Sequence, residues 1–286
     1  MAPPGDEVAT FDAPAKVNLN LKLTGRRADG YHILDSTVIF TAFGDRLTIR
    51  PAAGEDRIDV TGPFATLLEG ERDNICLRAI NGYRAIGGAV GPLAVTVEKN
   101  IPVGAGLGGG SSDAAAMLRF LDRQATHRVD PDALAALAAD LGADVPVCLA
   151  GVASRMRGIG DILDPVDPAP NGHIVLARPD AMLPTPAVFR AFAGSGNGFA
   201  KNIVAPDGRT ARQIVEDGND LLATASGLCP EIGLLLEALR NCPGAEAAQM
   251  TGSGSACFAL FADAPQAAAA AARMTAAGHW AVASSF

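Results

Sequence analysis

Apolar and polar residues alternate over parts of the chain in a way that predicts β-strands. Residues 17–23 alternate strictly, which is the period of a strand with one buried face. The apolar run 257–261 has no alternation and is typical of a strand that is buried on both faces. The remaining predicted strands are residues 45–50, 58–61, 93–97, 173–177 and 280–283.

Other segments have the spacing of helices with one apolar face. Residues 131–141 have a proline near the first position and a glycine directly after the end, as helices often do. The other predicted helices are residues 74–86, 114–121, 187–192, 220–225, 231–241 and 265–277. Strands and helices are mixed without regular alternation, which indicates an α+β protein.

The length of 286 residues suits two domains. Residues 165–171 are rich in proline and aspartate and are predicted to be a linker. We therefore expect one domain over residues 1–165 and a second over residues 166–286.

Composition narrows the classes of partner. The net charge of −8 argues against nucleic acid, since binding to its backbone needs a basic face. No apolar run approaches the ~20 residues that span a bilayer, and the first residues lack the basic and apolar parts of a secretory signal. The sequence thus predicts a cytoplasmic protein that contacts neither nucleic acid nor membrane.

The cysteines and histidines predict neither a disulfide framework nor a metal site. The five cysteines are odd in number, scattered, and never in a C-x-x-C pair. The four histidines show no metal-ligand spacing either. We therefore expect no protein-bound metal centre.

A glycine-rich run directly before a predicted helix is the strongest chemical signal in the chain. Glycines let a ligand approach the backbone, and successive N–H groups together with a helix N-terminus favour an anion. Ser111, Ser112 and Asp113 are of the types that cap helices. The run therefore predicts a phosphate-binding loop, with the following residues: Pro102, Val103, Gly104, Ala105, Gly106, Leu107, Gly108, Gly109, Gly110, Ser111 and Ser112.

Three other interpretations of the run are weaker. Residues 104–109 satisfy G-x-G-x-x-G, but a dinucleotide-binding loop follows its strand at once, and here residues 98–102 intervene. The P-loop pattern fails because no Lys-Ser/Thr pair closes the run. A flexible linker is disfavoured since the predicted helix begins without a spacer.

The run resembles a known motif more specifically. Residues 102–115, P-x-G-x-G-L-G-G-G-S-S-D-A-A, are similar to the phosphate loop of the GHMP kinase superfamily. Residues 14–19 resemble that superfamily's first motif and residues 251–255 its third, in the same order. The resemblance implies a ribosomal-protein-S5-domain-2-like N-terminal domain, a ferredoxin-like C-terminal domain, and ATP bound with the substrate in a cleft between them.

Three further segments resemble one branch of the superfamily. Residues 26–32, 142–146 and 218–221 are similar to segments of the members that phosphorylate 4-diphosphocytidyl-2-C-methyl-D-erythritol, in the non-mevalonate route to isoprenoid precursors. The resemblance implies transfer of the γ-phosphate of ATP to the 2-hydroxyl of this small cytidine diphosphate ester. We expect the chain to be a monomer or a weak homodimer. Two alternatives stay open: a GHMP kinase for mevalonate or homoserine, and a catalytically silent nucleotide-binding protein.

The resemblance implies that Asp144 is the catalytic base and that Lys16 assists it. A carboxylate near the attacking hydroxyl can accept its proton, and an ammonium nearby keeps that carboxylate ionised. Local sequence alone favours other interpretations: a turn or helix-capping aspartate between glycine and proline, and a surface lysine at a strand edge.

The remaining site residues are also implied by the resemblance. Tyr31 is expected to stack on the cytosine, His32 to bind its edge, and Phe189 to stack as well. Mg²⁺ is expected to bridge the ATP phosphates, with Ser111 or Ser112 reaching the metal or a phosphate, or else capping the helix. The weaker candidates are Asn18, Asp29 and Thr185 for the substrate, and Asn74 and Lys99 for the adenine.

Overall fold

The computed structural model describes residues 8–68 and 73–286. They form two compact units, each made of separate stretches of chain. Unit 1 comprises the described residues of Met1–Ala15, Gly44–Val103 and Gly108–Gly151. Unit 2 comprises Lys16–Phe43, Gly104–Leu107 and Val152–Phe286.

The elements follow one another in a mixed order, and a short 3-10 turn lies at Ala65–Leu68. The strands are β1 (Ala9–Asn18), β2 (Lys22–Arg26), β3 (His32–Pro51), β4 (Arg57–Thr61), β5 (Leu93–Glu98), β6 (Ser154–Gly158), β7 (Ile162–Pro165), β8 (His173–Arg178), β9 (Ala245–Met250), β10 (Cys257–Phe261) and β11 (Trp280–Ser285). The helices are α1 (Ile75–Ala85), α2 (Gly109–Gln124), α3 (Pro131–Leu141), α4 (Val145–Ala150), α5 (Thr185–Gly194), α6 (Ala211–Val215), α7 (Leu222–Leu228), α8 (Glu231–Arg240) and α9 (Ala264–Ala276). No described helix has the length and apolar character that crossing a membrane requires.

Unit 1 contains helices α1 to α4 together with β4, β5 and the last part of β3. The last part of β3 pairs antiparallel with β5, and β4 pairs parallel with β5. Ile49 and Val95 are paired across this ladder and both are buried. The chain leaves β5 at Glu98, enters the glycine run after three further residues, and continues into α2.

Unit 2 contains a four-stranded antiparallel sheet in the order β11-β8-β10-β9. All five residues of β10 are buried, which confirms the prediction from its continuous apolar run. The apolar sides of α8 and α9 belong to the same core, as buried Leu235 and Met274 show. Elsewhere in this unit β2 and β6 pair with the first part of β3, and β7 pairs with β6.

The α+β class is confirmed, and every predicted helix has a counterpart within a few residues. The prediction of one half-exposed strand over residues 17–23 is wrong, because β1 ends at Asn18 and β2 begins at Lys22. Asn18 and Asn20, which alternation would place in solvent, are both buried. Internal hydrogen bonds replace water for them: Asn18 Nδ2 donates to Ser36 Oγ, and Asn20 Oδ1 accepts from the Thr37 N–H.

Several elements were not predicted: the first part of β3, and β6, β7, β9, α4 and α6. The sequence of β9, AEAAQM, favours a helix by composition. Pairing with the buried strand β10 imposes the extended form instead, since tertiary contacts outweigh propensity differences of a few tenths of a kcal/mol. The predicted domain boundary after residue 165 falls between β7 and β8 and stays a prediction.

Candidate active site

The glycine run has an unusual backbone. Gly104, Gly106 and Gly108 have φ values of +69°, +79° and +68°, in the left-handed region that residues with a side chain avoid. Left-handed residues at alternate positions are part of the backbone pattern that turns successive N–H groups toward one point, as in anion-binding nests. The backbone therefore supports the phosphate-loop prediction, which remains a prediction.

The helix α2 begins inside the glycine run. Its N-cap is Gly108, so the prediction that Ser111, Ser112 or Asp113 caps the helix is wrong. Glycine alone enters the helix easily from a left-handed conformation, and this moves the helix start ahead of the serines. The amides of the first turn therefore meet no capping side chain at the N-cap position, and the dipole there favours a negative charge.

The serines of this turn differ in what they contact. Ser112 is buried, and its hydroxyl donates to the Pro14 carbonyl at 2.8 Å. Ser111 is partly exposed. A Cβ built on the neighbouring Gly110 would meet no described atom within 4 Å, so this side of the turn is open. Ser111 is thus the better placed of the two hydroxyls for a ligand.

The first motif lies against the glycine run within unit 2. The Lys16 N–H donates to the Leu107 carbonyl at 2.9 Å, which ties β1 to the run. The Ala256 N–H donates to the Ala105 carbonyl at 2.9 Å, which ties the residue directly after the third motif to the same run. Two segments far apart in the sequence therefore border the same four residues, 104–107.

The third motif also contacts the first directly. The Asn18 N–H donates to Thr251 Oγ1 at 2.9 Å, across 233 positions of sequence. A Cβ on Gly106 would lie 2.6 Å from the Gly254 carbonyl oxygen, so the two glycine loops touch backbone to backbone. Asn219 supports this loop, since its Nδ2 donates to the carbonyls of Met250 and Gly252. The three motifs form one constellation.

Lys16 is held within this constellation. Its side chain is not on the surface, because the residue is only 3% exposed. The ammonium donates to Asn18 Oδ1 at 2.9 Å, while Asn18 Nδ2 donates to Ser36 Oγ at 2.7 Å. The Ser36 hydroxyl in turn donates to the Asn20 carbonyl at 2.6 Å. This chain of hydrogen bonds fixes the direction of a buried cation, and it gives Asn18 a role that the sequence did not indicate.

Asp144 lies in unit 1 at the N-cap position of α4. Its backbone is in the right-handed region, with φ −90° and ψ −8°, and its carboxylate makes no capping hydrogen bond. The interpretation of Asp144 as a helix-capping aspartate is therefore wrong. Its role as a base stays a prediction.

His32 is surrounded by aromatic rings in unit 2. Its ring centroid lies 5.3 Å from that of Phe189, 5.8 Å from Phe192 and 6.4 Å from Phe199. Burial, and then the charge of Arg26, lower the pKa of this imidazole. Its Nε2 is buried and has no hydrogen-bond partner among the described residues. A buried nitrogen of this kind carries a desolvation penalty that a ligand can remove.

Three other substrate candidates are polar or exposed at their tips. The side chain of Tyr31 is 64% exposed. Its backbone is held in a turn, because the Tyr31 N–H donates to Asp29 Oδ1 at 3.2 Å. Thr185 begins α5, and its hydroxyl lies 2.8 Å from that of Ser253 in the third motif. An exposed aromatic ring is not stabilised by packing in the core, so stacking on a ligand would bury surface that is otherwise in water.

The two predicted adenine contacts, both in unit 1, have structural partners. Asn74 Oδ1 accepts from the Cys76 N–H at 2.9 Å and so caps α1. The Lys99 ammonium is bound by Asp113 at 2.6 Å and by Asp45. Their contacts with adenine stay predictions.

The sequence does not single out Ser36 or Asp45 for any role in the site. Thr251, Asn219 and Asp113 lie in segments that resemble family motifs, residues 251–255, 218–221 and 102–115, and these resemblances are the available signal for them.

Two family models and a close relative show to which protein family this chain belongs. The model of the GHMP kinases N terminal domain matches residues 74–152, and that of the GHMP kinases C terminal domain matches residues 199–279. The 4-diphosphocytidyl-2-C-methyl-D-erythritol kinase of Paracoccus denitrificans is 47% identical over 280 residues, which cover 95% of this chain and 94% of the relative. The chain belongs to the 4-diphosphocytidyl-2-C-methyl-D-erythritol kinase family of GHMP kinases.

The solved structures agree with membership of this family. A crystal structure of 4-(cytidine 5'-diphospho)-2C-methyl-D-erythritol kinase matches with a TM-score of 0.82 at 35% identity, over 97% of this chain and 98% of the other. The homoserine kinase from Cytophaga hutchinsonii matches with a TM-score of 0.63 at 16% identity, over 100% of this chain and 96% of the other, and shows the shared fold alone. The predicted resemblance to the GHMP superfamily and to this branch is confirmed.

Proposed function

We infer that this chain is a kinase that transfers the γ-phosphate of ATP to the 2-hydroxyl of 4-diphosphocytidyl-2-C-methyl-D-erythritol. Relatives that carry this kinase's name align over nearly the whole chain. The observation that supports the chemistry best is the joining of three motifs: residues 104–107 accept hydrogen bonds from the backbones of both Lys16 and Ala256.

The glycine run provides the phosphate-binding part of the proposal. Phosphoryl transfer depends on positioning and on compensating negative charge, more than on covalent chemistry by the protein. Left-handed glycines and the N-terminus of α2 supply amides and a positive dipole end for that purpose. Residues 102–112 are therefore the proposed contact with the triphosphate.

Lys16 and Asp144 are the proposed catalytic pair. Asp144 would accept the proton of the attacking 2-hydroxyl, a role typical of a positioned carboxylate. Lys16 would stabilise the ionised carboxylate and the charge that develops on the transferred group. The hydrogen bond from the Lys16 ammonium to Asn18 supports this proposal, because a catalytic group must be held in place by its neighbours.

The cytidine is the proposed ligand of the His32 region. A neutral imidazole with an unpartnered Nε2 can exchange a hydrogen bond with the polar edge of cytosine. Phe189 and the exposed ring of Tyr31 would stack on the base, which contributes about 1–3 kcal/mol per stacked base. Asp29 and Thr185 are proposed only as contacts at the periphery of this substrate.

Mg²⁺ is proposed to arrive with ATP. The described residues hold no group of three or more acidic, histidine or cysteine side chains that could bind a metal ion. In kinases Mg²⁺ usually keeps several waters and is held mainly by the phosphates of the nucleotide. The ion would neutralise charge on the β- and γ-phosphates, and Ser111 is the hydroxyl of the run that we propose as a contact of the ion or of a phosphate.

We also propose a cytoplasmic setting. The described residues contain all five cysteines and no disulfide, as in proteins of reducing compartments. Whether the chain is a monomer or a weak homodimer is measured by sedimentation across a range of protein concentrations.

The function is tested by coupled assay of ADP release with three acceptors. Turnover with the cytidine diphosphate ester, and none with mevalonate or homoserine, is the expected result. Turnover with mevalonate or homoserine instead would favour the other GHMP activity. ATP binding without turnover of any acceptor would favour a silent nucleotide-binding protein.

A further inference from the structure

A buried ionic cluster lies at the end of β5 in unit 1. The Lys99 ammonium contacts Asp45 and lies 2.6 Å from Asp113 Oδ2. The side chains of Lys99, Asp45 and Asp113 are only 5%, 0% and 5% exposed. Charges are rarely buried so completely unless paired, so the arrangement has a specific role in this part of the fold.

Asp45 fixes the chain that leads into the glycine run. Besides Lys99, it accepts the N–H groups of Asn100 and Ile101 on Oδ1, at 2.6 and 2.7 Å. Two amides and an ammonium satisfy an ionised carboxylate. The residues that immediately precede the run are thereby held to β3.

Asp113 fixes the chain that leaves the run. It lies in the first turns of α2, 14 positions after Lys99, and its Oδ2 accepts the lysine. Its Oδ1 is buried and has no hydrogen-bond partner among the described residues. Both ends of the segment 99–113 therefore meet at one ammonium.

The cluster holds one more carboxylate than it holds ammonium groups, and this imbalance affects the ionisation of Asp113. Two carboxylates and one ammonium leave one excess negative charge away from water, which is unfavourable. Burial raises the pKa of Asp113 to about 7, the Lys99 charge opposes that rise, and Asp45 adds to it. Cys76 of α1 also faces the cluster, and burial raises the pKa of its thiol, so it contributes no charge near neutral pH.

We propose that Asp45, Lys99 and Asp113 form a clamp that closes the glycine run at its base and thereby positions its amides for the triphosphate. This inference rests on the proposed nucleotide-binding function, and it makes the three side chains positioning residues. A clamp holds the run in its binding conformation before ATP arrives, so that ATP binding costs less conformational entropy of the loop. Lys99 would then act through the loop, in place of the adenine contact that the family resemblance implied.

The test compares ADP binding in Asp113→Leu and Asp113→Asn, by calorimetry with Mg²⁺ present. Leucine keeps the branched shape with the same number of heavy atoms and removes the acceptor for Lys99, while Lys99 stays paired with Asp45. We expect the Kd for ADP to rise about tenfold, in line with the loss of one charge-assisted hydrogen bond. Asparagine keeps an acceptor for Lys99, so it should restore the Kd for ADP to within about threefold of the parent value.

The control is Asp56→Asn, which weakens another ion pair of unit 1. Asp56 binds Arg84 and accepts the Leu93 N–H at 2.8 Å, at the opposite end of β5. That end lies about 20 Å from Lys99 by the rise of a strand. The control should lower the melting temperature and leave the Kd for ADP unchanged.

The possible results distinguish an effect of the clamp from a general loss of stability, and they distinguish failure of the clamp from failure of the proposed function. A folded Asp113→Leu protein with parental ADP affinity would overturn the clamp, as would an equal rise in Kd in the Asp56→Asn control. If Asp113→Leu does not fold, the double variant Lys99→Met/Asp113→Leu, which leaves no lysine in the cluster, must show the tenfold rise. A parent protein that binds ADP yet fails to phosphorylate the cytidine ester would overturn the proposed substrate and leave the clamp standing.

Discussion

Gly106 offers a quantitative test of how the second and third motifs fit together. The perturbation is Gly106→Ala, which adds one methyl group. Its Cβ would lie 2.6 Å from the Gly254 carbonyl oxygen and 3.2 Å from the carbonyl carbon, both closer than atoms normally approach. The backbone φ of +79° is also strained for any residue with a side chain.

The two effects can be added to an order of magnitude. A left-handed conformation costs an alanine about 1–2 kcal/mol. Forcing extra volume into a closely packed position typically costs a further ~1–3 kcal/mol. The total of about 2–5 kcal/mol appears as a lower melting temperature if the loops stay together, at roughly 2–4 °C per kcal/mol. If the loops separate instead, the same free energy appears as weaker nucleotide binding, at tenfold per ~1.4 kcal/mol.

The assay therefore measures both quantities, the melting temperature by calorimetry and the Kd for ADP by titration. Gly233→Ala is the control: this glycine lies within α8, and a Cβ there would meet no described atom within 4 Å. The control should be unchanged or up to ~1 kcal/mol more stable, because alanine favours helices. If Gly106→Ala matches its parent in both melting temperature and Kd, the contact between the two loops is not what constrains this position.

Three further predictions concern the proposed chemistry. Asp144→Asn keeps the size and removes the base, so kcat should fall by ~10²-fold or more with little change in ADP affinity; a near-parental rate constant for phosphoryl transfer in single-turnover assays would exclude Asp144 as the base. Tyr31→Ala should raise KM for the cytidine ester and spare both ATP and the melting temperature, since the ring is 64% exposed; an equal loss for both substrates would make Tyr31 a structural residue. Because burial and Arg26 lower the pKa of His32 in the folded state, the unfolded chain binds the proton more readily. Stability should therefore fall as the pH drops below the unfolded value near 6.5, and the melting temperature of His32→Gln should depend less on pH over that range; parallel curves for the two proteins would contradict the buried, neutral imidazole.

Local patterns determined much of this protein. The helix at residues 131–141 and the buried strand 257–261 follow from side-chain periodicity and from helix-start and helix-stop residues, which act over a few positions. The glycine run, read together with two other short motifs, was enough to indicate the family. Such signals survive in a single sequence because the physics behind them is local.

Other features depended on partners that are distant in the chain. The burial of Asn18 and Asn20, the extended form of β9 and the start of α2 at Gly108 each contradict or escape the local pattern. Asn18 is buried because Ser36 and Thr251 meet its polar groups there.

Local sequence therefore predicted the long helices and several of the strands, and it showed which residue types are available for phosphate chemistry. Only the tertiary structure decided that Lys16 is a buried, directed ammonium and that Lys99 is paired with two aspartates. The physical reason is that burial and hydrogen bonding of a polar group depend on atoms brought together by folding, and the order of residues along the chain does not specify those neighbours.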